Sequence, residues 1–450
     1  MDLPHDVVLL IRELEAAGFE AWAVGGCVRD SLLGLIPHDW DICTNARPEQ
    51  TLSVFSGRRV IETGIRHGTV TVMLERVPYE VTTYRTDGNY SDSRRPDSVA
   101  FVFSLREDLS RRDFTINAMA FHPQKGLYDG FGGAEDLKHK IIRCVGDPSA
   151  RFSEDALRIM RALRFAATFG FILEEKTAQA LMDLKERLRL IAPERIREEL
   201  MRLISGAGAA DILREYAPVV YIVLPELAPM HNHAQLSSYH HLDIWEHTLQ
   251  AMMAVPPEPI LRLAMLLHDA GKPACFSRDE KGVGHFYGHP QASFKLAGEI
   301  MVRLRFDNQT RQTVEELVLF HDATIPAKEK NVLRWLSRIG ETRLRQLITV
   351  KRADAVAQHP GKRESKLRQL DALEACLDVV LQKRLPYRLK DLAVTGNDLA
   401  DIGIPKNPQM GQVLQALLLK VMDGKLQNEK ETLLAAALKH ATAQPSLHKD

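Results

Sequence analysis

The sequence is poor in the features that mark several large classes of protein. Five of its 450 residues are cysteine. Cys27, Cys43, Cys144, Cys275 and Cys376 are scattered without a C-x-x-C or other zinc-ribbon spacing, so neither a disulfide framework nor a thiolate metal site is indicated. There is no run of about 18 apolar residues. Met1 to Leu10 is a polar lead into an amphipathic segment, not a charged stretch followed by an apolar block. No membrane span or secretory leader is expected, and the cytoplasm is the default compartment. Charge of one sign is also missing, since 59 Lys and Arg balance 59 Asp and Glu. Any nucleic acid must then be held by local basic patches, and composition by itself argues weakly against RNA. Neither G-x-x-x-x-G-K-[ST] nor G-x-G-x-x-G occurs, which argues against a P-loop or a dinucleotide fold as the way a nucleotide is held.

What is present is enough apolar residue, 45%, to bury a sizeable core in about three domains of ordinary size. From His5 to about Phe131 an amphipathic helix, His5 to Ala17, precedes β-rich runs at Ala21 to Val24, Trp40 to Cys43, Thr69 to Leu74, Tyr79 to Tyr84 and Ser98 to Phe103. After about Glu135 apolar residues recur at three and four spacing and strand signals disappear. The expected class is α+β, an α/β head followed by all-helical domains. Breaks in periodicity near 228–238, 358–364 and 384–387 accompany an expected division into 1–135, 136–230, 231–360 and 361–450.

Chemistry concentrates first around Gly25-Gly26-Cys27-Val28-Arg29-Asp30, where a strand runs into a helix. Two glycines there let backbone N–H groups approach a phosphate, the helix N-terminus adds positive potential, and Arg29 can pair with it. Alone this is an ordinary tight turn. Nine residues after Asp30 comes Asp39-Trp40-Asp41 on the next strand. Alternate residues of a strand share a face, so two carboxylates stand side by side and repel unless a hard cation such as Mg²⁺ lies between them. Glu80, on Tyr79 to Tyr84, is the candidate third carboxylate, completing the metal site or acting as base; its plain alternative is an exposed residue of an alternating strand.

The glycine turn followed by Asp39-x-Asp41 resembles the signature of the DNA polymerase β-type nucleotidyltransferases, in the branch that holds bacterial tRNA CCA-adding enzymes and poly(A) polymerases. Arg85 to Pro96 is similar to that family's flexible loop, and Arg111-Arg112-Asp113-Phe114-Thr115-Ile116-Asn117-Ala118-Met119-Ala120 to its second motif. The resemblance implies a polymerase-β-like head, Mg²⁺ at Asp39 and Asp41, tRNA as substrate, and CTP and ATP as donors. Gly26, Arg29 and Arg112 would hold the triphosphate. Asp113 and Asn117, four apart, would anchor ribose or the loop if the segment is helical, or simply cap a helix.

A helix beginning at Glu154-Asp155-Ala156-Leu157-Arg158 places Ala156, Ile159, Met160, Leu163 and Ala167 on one apolar arc, with Asp155, Arg158, Arg161 and Arg164 off it. Most such stripes are solvated basic faces. Cytosine and adenine, however, each present an amino donor beside a ring-nitrogen acceptor, whereas uracil and guanine present a carbonyl beside N–H. A carboxylate and a guanidinium would pair with the first two and clash with the others. The run is similar to the family's E-D-x-x-R motif, which implies the base-reading role for Asp155 and Arg158 and a triphosphate-facing role for Arg161 and Arg164.

A second constellation comprises His247, His268-Asp269, His289, His321 and Asp354. Each histidine alone is ordinarily a packing residue. The set, with His268-Asp269-Ala270-Gly271-Lys272-Pro273 intact, resembles the HD phosphohydrolase superfamily. That implies a transition metal or Mg²⁺ held by His247, His268, Asp269 and Asp354, with His289 and His321 assisting phosphate chemistry on RNA ends or nucleotides. The stretch from Thr395 to Asn428 resembles the tail of tRNA nucleotidyltransferases, with Lys406, Lys420 and Lys425 as candidate phosphate contacts. Three other readings are weighed: a poly(A) polymerase, an enzyme adding the terminal A alone, and a phosphohydrolase whose N-terminal part merely holds RNA.

Overall fold

The computed structural model describes residues 1–88, 99–236 and 242–442. Two compact units are present: 1–228 with 300–306, and 229–299 with 307–450. The first is built on a seven-stranded sheet. Its strands are β1 (Ala21–Val24), β2 (Asp41–Thr44), β3 (Val60–Ile61), β4 (Thr69–Leu74), β5 (Val77–Thr83), β8 (Met119–His122) and β9 (Gly126–Asp129), in the order β3-β4-β5-β2-β1-β8-β9. A separate hairpin pairs β6 (Arg85–Asp87) with β7 (Val99–Phe101). Strong β-formers alternate along Thr69-Val70-Thr71-Val72-Met73-Leu74, and every second residue is buried, as a half-covered sheet requires. Of the pairs in the sheet, β2 with β5 is parallel, in a register that sets Asp41 opposite Glu80.

The helix His5–Ala16 buries Val7, Leu10, Ile11 and Leu14, a three-and-four spacing that predicts its face. Trp22, Val24, Cys43, Tyr84, Leu105, Leu109, Ala118 and Ala120 form a core cluster within the head. Each large apolar side chain buried in such a core contributes about 1.5–3 kcal/mol. The helix Leu157–Phe169, with the Ala156 that precedes it, buries the apolar arc read from the sequence, Ala156, Ile159, Met160, Leu163 and Ala167. Helices dominate the second unit; Ile244–Ala254 and Asn308–Phe320 are capped by the side chains of Asp243 and Asp307.

The mixed α/β head and largely helical remainder agree with the expected class. Local expectations differ in four places. β2 begins at Asp41, where pairing with Glu80 begins, so Asp39 lies in the lead-in to the strand, not on it. The helix expected from Glu154 is two helices, Pro148–Glu154 and Leu157–Phe169. Asp155 between them is extended, at φ −138° and ψ 102°, because its carboxylate accepts from the Leu157 N–H at 3.0 Å, a local bond that competes with helix. Asp113 precedes and Asn117 ends a 3₁₀ turn, Thr115–Asn117, in place of a helical turn. Strands persist after residue 135 as β10 (Ile141–Ile142) with β11 (Ile172–Leu173) and β12 (Ser277–Arg278) with β13 (Gly284–His285); two residues are too few to leave an alternating pattern.

Candidate active site and a second metal-ligand cluster

The first site forms where β1 ends. Gly25 stands at φ 82° and ψ −127°, a conformation essentially reserved for glycine. Its N–H donates to Met119 O at 3.0 Å. A Cβ on Gly25 would lie 2.7 Å from Nη1 of Arg112, so the absent side chain lets that guanidinium close over the turn. Gly25→Ala is therefore expected to cost about 1–3 kcal/mol of backbone strain and to displace Arg112. Phosphate chemistry at this turn should fall by about tenfold or more; thermal melting beside single-turnover rates would check both effects.

Asp41 is half-buried, whereas Asp39 and Glu80 are exposed. Burial, together with the like charges of Glu80 and Asp39, outweighs the attraction of Arg112 and pushes the Asp41 carboxyl up to about 6. A group so destabilised in its charged form marks a place where a cation would relieve the repulsion. Carboxylate oxygens are hard donors that suit a divalent ion of the Mg²⁺ type, although Asp39, Asp41 and Glu80 do not converge here as closely as the ligand sets of the second site.

Behind the carboxylates runs a buried polar chain. Arg29 donates to Asn117 Oδ1 at 2.6 Å and to Asp30 at 2.8 Å, while its plane lies over Phe165 and Phe169, 5.1 and 5.0 Å from the ring centres. Asn117 donates to Asp113 Oδ1 at 3.0 Å, and Arg161 Nε donates to Asp113 Oδ2 at 2.8 Å. Burial alone would raise the Asp113 carboxyl, but Arg161, Asn117 and Arg158 hold it below its usual range. Asp113 and Asn117 are thus brought together as expected by spacing, although not through a helix.

Asp155 and Arg158 are both buried, yet each is engaged elsewhere. Asp155 Oδ2 accepts from Arg195 Nη2 at 2.7 Å, and Arg158 donates to Glu154 at 2.7 Å and to Arg111 O at 3.1 Å. Arg161 and Arg164 converge on Glu199, at 3.4 and 2.6 Å. Arg195 and Glu199 escaped sequence reasoning because their partners lie 35 to 40 positions away. Asp108 also went unnoticed. Fully buried, it accepts from Arg111 at 2.8 Å and from the Arg85 N–H at 3.2 Å, and it lies 3.7 Å from Arg112. It thereby links the start of the Arg85 to Pro96 segment to the arginine pair; residues 89–96 of that segment lie outside the described residues.

The second site belongs to the unit beginning at Pro229. His268 and His321 directly follow the helices Pro259–Leu267 and Asn308–Phe320, where the last carbonyls have no intrahelical donor. Those carbonyls fix the rings. Nδ1 faces Met265 O at 2.6 Å in His268 and Val318 O at 2.6 Å in His321. In the same way Nδ1 of His247 faces Ala357 O at 3.3 Å and that of His289 faces Phe286 O at 2.9 Å. With Nδ1–H donating outward, all four Nε2 atoms are left as acceptors aimed inward, the tautomer of metal-ligating histidine.

Asp269 sits at their centre. Its Oδ2 is 3.1 Å from His268 and 3.6 Å from His247, and its Oδ1 is 3.5 Å from His289 and 3.6 Å from His321. Asp354 adds an oxygen 3.0 Å from His247. Two overlapping sets, His247-His268-Asp354 and His268-Asp269-His321, bring ligand atoms within 4.8 Å of one another. Lys272 forms an ion pair with Asp269 at 2.7 Å. Even so, both Asp269 oxygens and His268 Nε2 are buried without an aligned hydrogen-bond partner among the described residues. His289 and His321 bring their Nε2 atoms to 3.2 Å, a contact between two acceptors that a shared cation would stabilise. The donor set fits divalent metal of the transition series. Lys272, three residues beyond Asp269 in the turn after the helix, was legible in its spacing and was passed over as a functional residue. A cavity of about 490 Å³ opens on the cluster, lined by Asp269, His289, His321, Asp354, Lys366 and the 284–288 segment.

In the tail, Lys406 donates to Asn397 at 3.1 Å and Lys425 lies 3.7 Å from Asp423, while Lys420 is exposed.

Comparison with known proteins covers nearly the whole chain. The family profile of the Poly A polymerase head domain matches residues 21–143, that of an RNA and SrmB-binding site of polymerase A residues 170–229, and that of tRNA nucleotidyltransferase domain 2 residues 291–437. The CCA-adding enzyme of Levilactobacillus brevis is 35% identical over 431 residues, 95% of this chain and 96% of its own. That of Geobacillus stearothermophilus is 35% identical over 429 residues, 95% of this chain and 94% of its own. Among solved structures, the Bacillus stearothermophilus CCA-adding enzyme in complex with CTP aligns with a TM-score of 0.70 at 30% identity, over 98% of this chain and 99% of that one. The Thermotoga maritima enzyme complexed with tRNA shares the fold, with a TM-score of 0.59 at 21% identity, over 97% of this chain and 94% of that one.

Proposed function

The chain belongs to the family of CCA-adding enzymes, and from that premise we propose that it adds C, C and A, from CTP and ATP, to the 3′ end of tRNA without a nucleic-acid template. The observation that carries the reading is the register of β2 on β5, which sets Asp41 against Glu80 beside Arg112. Asp39 and Asp41 would hold Mg²⁺, with Glu80 as the third carboxylate. Bound there, the ion supplies the positive charge that eases deprotonation of the primer 3′-hydroxyl and offsets charge on the triphosphate. The 3′-oxygen bonds to the α-phosphorus, the bond to the β-phosphate oxygen breaks, and pyrophosphate leaves. Gly26, Arg29 and Arg112 orient the triphosphate; Asp113 and Asn117 keep Arg29 and Arg161 in place. Arg161 and Arg164 add positive charge on the same wall.

Base choice falls to Asp155 and Arg158, which exchange their present partners, Arg195 and Glu154, for the Watson–Crick edge of C or A. Arg158→Ala and Asp155→Ala are each expected to erode the preference for CTP over UTP by about ten- to a hundredfold, the worth of a bidentate base contact. Single-nucleotide incorporation on a tRNA lacking CCA measures that ratio. Lys406, Lys420 and Lys425 would meet tRNA phosphates in the tail, and the division into head, neck, third and tail domains at 135, 230 and 360 follows these roles. No helix among the described residues is long and apolar enough to cross a membrane, and we place the reaction in the cytoplasm.

The test is product length. A tRNA transcript lacking CCA, given CTP and ATP, should gain three nucleotides and then stop. A poly(A) polymerase would keep adding A to any RNA, and an A-only enzyme would extend only the transcript already ending in CC.

A second activity is favoured by the histidine and aspartate cluster: metal-dependent hydrolysis of a phosphoester at an HD-type site. His247, His268, Asp269 and Asp354 hold the metal. The geometry favours ligand roles for His289 and His321 as well, since both turn Nε2 to Asp269. Hydrolysis of a 2′,3′-cyclic phosphate by the full chain loaded with Mn²⁺ or Ni²⁺ tests it; no turnover with any divalent ion would make the cluster structural.

A further inference from the structure

Tyr287 lines the cavity beside the cluster and is 78% exposed. Single exposed aromatics are common and usually need no explanation, but this one is held. Its ring stacks on His285 with centroids 5.2 Å apart and planes 8° from parallel, and its hydroxyl lies 3.3 Å from His285 Nδ1. His285 is fixed in turn by Asp279, 3.0 Å from its Nε2. Asp279 is tied to the turn by the Lys281 and Val283 N–H groups, each at 2.9 Å. The result is a braced, largely exposed ring on the wall of a cavity large enough for a nucleotide and far larger than a phosphate alone requires. Two residues further on, His289 enters the ligand cluster and lines the same cavity, so one cavity offers both a ring for a base and a cluster for a phosphate. Lys366 on its wall adds positive charge.

We propose that Tyr287, braced by His285, is a base-stacking platform that makes the second site selective for nucleoside phosphoesters over simple ones. The inference rests on the hydrolase reading of that site. In the reaction, a water oxygen bonds to phosphorus, the bond to one ribose oxygen breaks, and that oxygen takes the proton. Tyr287 touches only the base, so it is a specificity residue whose loss acts on KM.

Two measurements separate the platform from the hydrolase reading. With Mn²⁺-loaded full chain, kcat/KM is compared for adenosine 2′,3′-cyclic phosphate and for the same cyclic phosphate on an abasic ribose. Tyr287→Ala is expected to lower the first about five- to a hundredfold, mainly through KM, the range of one base stacked on an aromatic ring, and to leave the second unchanged; Tyr287→Phe should keep most of the preference. Separately, Tyr287→Trp places a fluorophore at the platform, and adenosine 2′-monophosphate should quench it beyond any change in the parent chain. Turnover of both esters with equal loss, or none, in Tyr287→Ala overturns the platform and leaves the hydrolase standing. Quenching without turnover of either ester keeps the platform and removes the hydrolase; neither quenching nor base preference ends the proposal.

Discussion

Asp41→Asn is expected to lower nucleotide addition by about 10⁴-fold or more, the scale on which loss of a central catalytic group is felt, and to stabilise the metal-free chain at the same time. The two effects share a cause. In the folded chain burial and the charges of Glu80 and Asp39 raise the Asp41 carboxyl from its ordinary 3.8 to about 6, so the ionised form is disfavoured by folding. A folded pKa above the unfolded one means that the folded state binds the proton more tightly. The penalty is absent below about pH 4, grows between pH 4 and 6, and is complete above about 6. Asparagine removes the charge at nearly constant volume. The variant should therefore melt higher than the parent in chelator at pH 7.5, by an amount on the order of 1 kcal/mol once solvent screening is counted. The gain should vanish near pH 4. Activity loss accompanied by destabilisation at pH 7.5 would mean that Asp41 supports the fold instead of the chemistry.

Asp269→Asn is expected to be nearly as damaging to the second site, with hydrolysis falling by about 10³-fold or more and one equivalent or more of bound Mn²⁺ lost on dialysis. Asp269 faces four imidazoles, two from each oxygen. Burial alone would raise its carboxyl, but His268 and Lys272 outweigh that and hold it well below the usual carboxylate range. An amide presents one oxygen and one N–H₂, so at least two Nε2 acceptors lose their anionic neighbour and Lys272 loses its counter-ion. Nucleotide addition should be unaffected, because no residue of this cluster belongs to the head. Metal analysis by mass spectrometry, read beside addition and hydrolysis rates, separates local loss from general unfolding.

How far the sequence announced these sites follows from the range of the interactions that build them. The strand–glycine–helix turn and the β-rich run Thr69 to Leu74 are local, and they stood where expected. The pairing of Asp41 with Glu80 joins strands almost forty positions apart, so sequence could nominate Glu80 without fixing its neighbour. Asp39 was placed on the strand because Trp40 and Ile42 alternate with the aspartates; the ladder itself starts two residues later, where β5 is available. Asp155 was read as helical because the apolar arc begins beside it at Ala156, whereas its carboxylate accepts from the Leu157 N–H and interrupts the helix there. The partners Arg195 and Glu199 are set by packing between helices and leave no local trace. In the second site the ligand types were visible, but the common orientation of four imidazoles depends on backbone carbonyls, three of them at helix ends, which needed the structure.

The most direct measurement of the central claim is addition of each of the four nucleotides, singly labelled, to three tRNA ends: lacking CCA, ending in C, and ending in CC. The predicted pattern is CTP into the first two ends, ATP into the third, and UTP or GTP into none at a comparable rate. Incorporation of UTP or GTP as readily as CTP and ATP, or failure to extend any of the three ends, would contradict it.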